Sequence, residues 1–99
     1  MELVLLARAE AEVLATQARM DEALEGLGER FNLRVEETLD QLIVFPQSGP
    51  VYAEPFRRIL VRDFPFGIFY SIEGRRVVVQ AVLDLRQDRE SIERKLRGA

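Results

Sequence analysis

Three runs of β-branched and aromatic residues, close together in the second half of the chain, constrain the fold more than any other feature. They cover residues 56–63, 66–72 and 76–83, and their composition is typical of β-strands. Only Phe64-Pro65 and Glu73-Gly74-Arg75 separate them. Because parallel strands need a long crossover connection, joints this short predict antiparallel neighbours.

The last of these runs predicts a central strand. Side chains alternate between the two faces of a strand, which puts Val77, Val79, Ala81 and Leu83 on one face and Val78, Gln80, Val82 and Asp84 on the other. Apolar side chains on both faces indicate burial on both sides of the sheet.

The first half predicts one strand and two helices. Leu3-Val4-Leu5-Leu6 is a short apolar run typical of a buried strand, and strong helix formers follow from Ala7 to Glu25. The residues of this helix that we expect to face the core are Ala7, Ala11, Leu14, Ala15 and Ala18.

The paired glycines of Gly26-Leu27-Gly28 predict the joint between the helices, because glycine disfavours a helix interior. The apolar spacing of Phe31, Val35, Leu39 and Leu42 predicts a second helix over residues 29–44, ended by Pro46. So short a joint favours an antiparallel helical hairpin.

The tail from Asp88 to Arg97 predicts a C-terminal helix with Asp88 as its N-cap. The predicted order is therefore β-α-α-β-β-β with a C-terminal helix. This is an α+β fold in which a helical hairpin packs on one face of a small antiparallel-rich sheet. Residues 1–99 are predicted to form a single domain.

The chain has no cysteine and no histidine. Their absence excludes disulfides, thiolate nucleophiles, Cys/His zinc sites and every acid–base mechanism that depends on imidazole. The sequence indicates no cofactor, no metal and no catalytic residue of its own. Met1 to Arg8 resembles neither a signal peptide nor a membrane anchor, so we expect a cytoplasmic protein without membrane contact.

The net charge of −3 is unevenly distributed. Residues 1–50 hold four Arg against ten Asp and Glu, whereas residues 51–99 hold ten Arg and Lys against seven Asp and Glu. An acidic chain lacks the broad positive field that usually drives nucleic-acid binding. The charge therefore disfavours RNA or DNA as the main partner.

Two series of residues together form a pattern known from one protein family. The first is Gly26-Leu27-Gly28-Glu29-Arg30-Phe31, Leu39, Leu42, Phe45-Pro46 and Ser48-Gly49-Pro50-Val51. The second is residues 56–66, Phe69-Tyr70, residues 77–83, Leu85-Arg86 and Asp88. Their order over nearly the whole chain resembles the RelE/ParE toxin superfamily, and specifically its ParE-like toxins.

The chain departs from this family at its closing segment. Many members carry a histidine and a further arginine after the last strand, where this chain has Asp84 and Gln87. Leu60, Gly67 and Gln87 occupy positions at which the mRNA-cleaving members carry basic catalytic groups, while Arg58 and Arg62 remain basic. The C-terminal helix also lacks the tyrosine of the RelE-type enzymes.

The resemblance implies the toxin of a type II toxin–antitoxin system, a class associated with plasmid stabilisation. For a ParE-like member it implies contact with DNA gyrase, no chemical site on the toxin, and neutralisation by a cognate antitoxin. Two alternatives stay open: a ribosome-dependent mRNA interferase of the RelE type, and a degenerate non-toxic binding module. The oligomeric state is left open too.

Four arginines are the predicted contacts to the target or the antitoxin, because arginine is the cation favoured at protein interfaces. They are Arg57, Arg58, Arg62 and Arg86. The alternative for each is a solvated charge at a strand edge. RNA cleavage would instead need a proton acceptor, for which Tyr70 and Asp84 are the candidates, although Tyr70 lies in an apolar strand and is expected in the core.

Overall fold

The computed structural model describes residues 1–98, which form three helices and one mixed five-stranded sheet. In chain order the elements are β1 (Glu2–Leu5), α1 (Ala7–Ala23), α2 (Leu27–Val44), β2 (Val51–Ala53), β3 (Phe56–Leu60), β4 (Phe66–Glu73), β5 (Arg76–Asp84) and α3 (Arg89–Leu96). The α+β prediction, with a helical hairpin, an antiparallel-rich sheet and a C-terminal helix, is confirmed.

The strand order is β1-β5-β4-β3-β2. β1 runs parallel to β5, and the other pairs are antiparallel. The sequence predicted the β3-β4-β5 meander but not β2, whose three residues lie between Pro50 and Pro55. β3 also ends at Leu60 instead of residue 63, because Asp63 adopts a left-handed φ of 70° and the chain turns there.

The helical hairpin packs at close range through Gly28. A side chain at this position would place its Cβ 2.4 Å from the carbonyl oxygen of Gln17 in α1, and the Gly28 N–H donates to Asp21 Oδ1 at 2.8 Å. Gly26, with φ of 84°, makes the actual break. α2 therefore begins at Leu27, two residues earlier than predicted.

The face of α1 that was predicted to point to the core points to solvent. Leu14 is 59% exposed, and the alanines of that stripe are exposed as well. Ala9, Val13 and Thr16 are buried in their place. The prediction was wrong because alanine is small enough to be left in water at little cost, so alanine spacing does not define a buried face.

Apolar clusters lie on both sides of the sheet. The larger one lies under the hairpin and includes Phe31, Leu42, Ile68 and Val79. The smaller one lies under α3 and contains Phe69, Ala81, Leu83, Ile92 and Leu96. β4 and β5 are thus covered on both faces, which confirms that β5 is central.

A β-bulge in β5 exchanges its two faces. Phe69 pairs with Ala81 and the next residue, Tyr70, pairs with Val79, so Gln80 is the extra residue. Val77 and Val79 face the hairpin, whereas Ala81 and Leu83 lie under α3. Strict alternation had predicted all four on one face, and the bulge overturns that prediction.

Tyr70 anchors the loop between α2 and β2. Its side chain is fully buried. The hydroxyl donates to the Pro46 carbonyl at 2.8 Å and accepts from the Gly49 N–H at 2.9 Å. Burial raises the pKa of this phenol, so the hydroxyl stays protonated and structural.

We expect Tyr70→Phe to lower the free energy of unfolding by about 1–3 kcal/mol, because the Pro46 carbonyl and the N–H of the buried Gly49 lose their partner. Urea denaturation monitored by circular dichroism measures the change. Tyr52→Phe is the matched control, since no hydrogen bond involves the Tyr52 hydroxyl within residues 1–98. Equal effects of the two substitutions would contradict the anchoring role.

Candidate functional site

The sheet face beneath α3 is only partly covered, because α3 has eight residues and packs over β4 and β5. The remaining surface, named here the open face, carries apolar and cationic side chains at the β2–β3 edge and beside the end of β5. Its residues are Tyr52, Arg58, Leu60, Gly67, Leu85 and Arg89. Leu60 is 60% exposed.

Arg58 is held in place within the open face. In β3 it pairs with Phe69, and alternation along the strand directs it away from the hairpin. Its methylene stem crosses Gly67, where a Cβ would lie 3.2 Å from Arg58 Cγ. The guanidinium carbon lies 5.4 Å from the centroid of the Tyr52 ring. Gly67 therefore leaves room for a cation packed on an aromatic ring.

Arg89 approaches the same ring from α3, also at 5.4 Å from its centroid. The ring of Tyr52 meets Phe69 edge-on with centroids 5.2 Å apart, which ties it to the smaller apolar cluster. Pro50, Val51, Tyr52, Arg58 and Arg89 line a pocket of about 270 Å³. We call this the arginine–tyrosine pocket.

The four sequence-predicted arginines do not form one site. Arg57 donates from Nη1 to the Gly49 carbonyl at 2.8 Å, in the loop that Tyr70 anchors. Arg62 is exposed in the turn after β3, and Arg86 is bound to Asp84. Arg58 is the member of the four that lies in the open face.

Sequence reasoning missed Tyr52 and Arg89. Tyr52 lies in a segment for which the sequence predicted no strand, and Arg89 lies near the start of the predicted C-terminal helix, for which the sequence analysis named no contacts. The sequence offered only a weak indication of this pocket, namely an aromatic residue, Tyr52, six residues before an arginine in a predicted strand, Arg58.

Asp84 and Gln87, the two departures from the family pattern, make local contacts. Arg86 Nη2 donates to Asp84 Oδ2 at 2.7 Å, and this hydrogen bond lowers the pKa of the Asp84 carboxyl. Gln87 donates to the Asp84 carbonyl and accepts from Lys95 Nζ, both at 2.8 Å. Asp84 and Arg86 therefore form a local ion pair at the end of β5.

Both residues also border a polar pocket of about 220 Å³ against α1, together with Glu12, Arg19 and Lys95. Glu12 accepts the Val82 N–H at 2.9 Å, and burial raises the pKa of its carboxyl. Glu12 thus supplies a hydrogen-bond acceptor to the part of β5 that lies beyond its pairing with β1.

Within residues 1–98, no group of three or more His, Cys, Asp or Glu side chains could hold a metal ion. In the same residues no helix is both long enough and apolar enough to span a membrane.

A family model described as the ParE toxin of the type II toxin–antitoxin system, parDE, matches residues 4–89. The chain belongs to the ParE toxin family. The match spans both helices of the hairpin, strands β2 to β5 and the second half of β1, and it confirms the resemblance seen in the sequence.

A solved structure supports the fold of this ParE family member. A chain of the chromosomal ParDE toxin–antitoxin system from P. aeruginosa superposes with a TM-score of 0.77 at 14% sequence identity, covering 87% of this chain and 97% of that one. No curated protein matches the sequence.

The Asp84–Arg86 pair gives this ParE family member a pH-dependent contribution to stability. Because the folded-state pKa of Asp84 is lowered, the contribution is present above the ordinary aspartate pKa of about 4 and is lost as the pH falls through the folded value.

We expect Arg86→Gln to raise the Asp84 pKa, measured by ¹³C NMR of its carboxyl group. Arg62→Gln, which removes the same charge from an exposed turn, should leave it unchanged. An Asp84 pKa that is unchanged in the Arg86→Gln variant would contradict the assignment of the lowered pKa to Arg86.

Proposed function

We propose that this ParE-family chain is a cytoplasmic toxin that inhibits DNA gyrase by protein contact and is neutralised by a cognate antitoxin. The observation that supports it most is the chemistry of the open face. That face presents an arginine fixed on an aromatic ring beside the exposed Leu60, and none of its six residues is a carboxylate, a histidine or a lysine.

Cleavage of RNA by its own 2′-hydroxyl needs a proton acceptor, a proton donor and positive charge on the phosphate. Arginine supplies only the charge, because it stays protonated. Tyr70 is buried and committed to Pro46 and Gly49. Asp84 is neutralised by Arg86 at 2.7 Å. Tyr70 is therefore closed to a substrate, and Asp84, whose pKa is lowered by its hydrogen bond with Arg86, is a weaker base than a free aspartate.

The composition of the open face also disfavours RNA cleavage. Leu60 and Gly67, at positions that are basic in mRNA-cleaving relatives, are uncharged residues of this face. Gln87 is bound to the Asp84 carbonyl and to Lys95. Such a surface favours recognition of a protein, since aromatic and arginine side chains beside apolar groups are typical of interface hot spots.

Antitoxin binding is consistent with three apolar side chains left in solvent on the hairpin. Leu14 of α1 and Leu33 of α2 are 59% and 52% exposed, and Leu24 at their joint is 60% exposed. A partner that covered them would remove apolar area from water. The antitoxin segment is proposed to be acidic where it meets the more basic second half of the chain.

Controlled expression in bacteria, with and without the neighbouring reading frame, tests the proposal together with gyrase supercoiling and ribosome-dependent mRNA-cleavage assays. We expect growth arrest, gyrase inhibition and rescue by the antitoxin. Cleavage of mRNA would identify an interferase instead. Absence of toxicity would identify a binding module, with Asp84 and Gln87 as the departures to test by reversion.

Within this experiment Arg58→Gln should raise the half-inhibitory concentration for gyrase about 30-fold, the effect of losing about 2 kcal/mol at an interface hot spot. Arg75→Gln is the matched control, because it removes the same charge from the exposed turn between β4 and β5. Equal inhibition by the Arg58 and Arg75 variants would show that the open face is not the contact surface.

A further inference from the structure

We propose that the arginine–tyrosine pocket binds the carboxylate of an acidic side chain in an extended peptide segment that lies along the edge strand β2. This inference rests on the proposed function for the identity of its partner, a protein, and adds the chemistry that the partner must present.

The guanidinium of Arg58 has N–H donors without an acceptor. No carboxylate lies within 4 Å of it and no side-chain hydrogen bond uses it among residues 1–98. Arg58 is nevertheless half-buried, and no buried side-chain nitrogen in the described chain lacks a partner. The free donors of Arg58 therefore reach solvent from a side chain whose stem is fixed over Gly67.

Arg89 brings a second set of donors to the same ring. Its Nε donates to Glu93 Oε1 at 3.3 Å, which leaves its terminal nitrogens free of protein acceptors within residues 1–98. Two guanidinium groups and one carboxylate thus give the cluster a charge of one positive. A monovalent carboxylate matches that charge better than a phosphate, which carries up to two negative charges.

The surroundings favour a peptide over a nucleic acid. The Tyr52 ring already contacts two guanidinium groups and the edge of Phe69, so it offers no free platform for stacking a base. The whole chain carries a net charge of −3, which opposes a polyanion. The pocket, about 270 Å³, lies below the usual range for whole small molecules and suits one side chain.

β2 supplies the means to hold the rest of the peptide. It is the last strand of the sheet and pairs on one side with β3, so its other edge, three residues long, can pair only with a short added strand. Val51 of this strand is 49% exposed and also lines the pocket. A peptide lying along this edge would pass the arginine–tyrosine pocket, which Val51 and Tyr52 of β2 line together with Arg58 and Arg89.

The test is an NMR titration of the ¹⁵N-labelled full chain with a blocked peptide, Val-Thr-Glu-Val-Thr, and its matched peptide with glutamine in place of glutamate. We expect the glutamate peptide to shift the arginine Nε–Hε signals of Arg58 and Arg89 and to bind about tenfold more tightly than the glutamine peptide, as expected for a charge-assisted hydrogen bond. Arg58→Gln should abolish that preference, and Arg75→Gln should retain it.

Arg89→Gln provides a second variant, expected to reduce the preference, and the amide spectrum of each variant reports its fold. Equal binding of the two peptides, no binding at millimolar peptide, or a preference that survives Arg58→Gln would overturn the proposal. So would an octathymidine oligonucleotide that shifts the same arginine signals at lower concentration. Because the titration contains no gyrase, failure of the gyrase assay and failure of this pocket are separate results.

Discussion

The extra residue in β5, Gln80, is the constraint on which the rest of the structure depends. A central strand covered by a hairpin on one side and by α3 on the other needs apolar side chains on both faces, and the bulge changes which residues point to which side. At and beyond this bulge, where pairing with β1 has ended, backbone groups of β5 bind side chains of α1. Arg8 donates to the Gln80 carbonyl at 2.8 Å, and Glu12 accepts the Val82 N–H at 2.9 Å.

Arg8 connects this bulge to α3. The same guanidinium donates to the carbonyls of Lys95 and Leu96 at 2.8 and 3.0 Å, at the end of the helix, where carbonyls lack helical partners. α3 is thus fixed over β4 and β5 by one side chain from α1 as well as by Ile92 and Leu96. Because α3 has eight residues, it contacts β2 and β3 only around Tyr52 and Phe56, and the surface around Arg58 and Leu60 that it leaves uncovered is the open face.

The sequence predicted the order of every element except β2, because each depends on local chemistry: β-branched runs for strands, Gly26 for the hairpin joint, Asp88 for the start of α3. It could not predict which residues met across the sheet. The bulge at Gln80 has no sequence signature in a run of valines, and the alanine stripe on α1 carried too little apolar area to define a face. Arg58 was singled out, but Tyr52 and Arg89 come from distant segments that only folding brings together.

Packing also explains why Arg58 is suited to recognition when other arginines of this chain are not. Arg57 and Arg86 have already formed bonds with a loop carbonyl and with Asp84, so a partner would have to break those bonds. Arg62 is exposed and would lose conformational freedom on binding. Arg58 is ordered by Gly67 and Tyr52 before any partner arrives, while its donors stay unoccupied. A preorganised cation of this kind binds an anion with a smaller loss of side-chain entropy than the loss that usually weakens surface ion pairs.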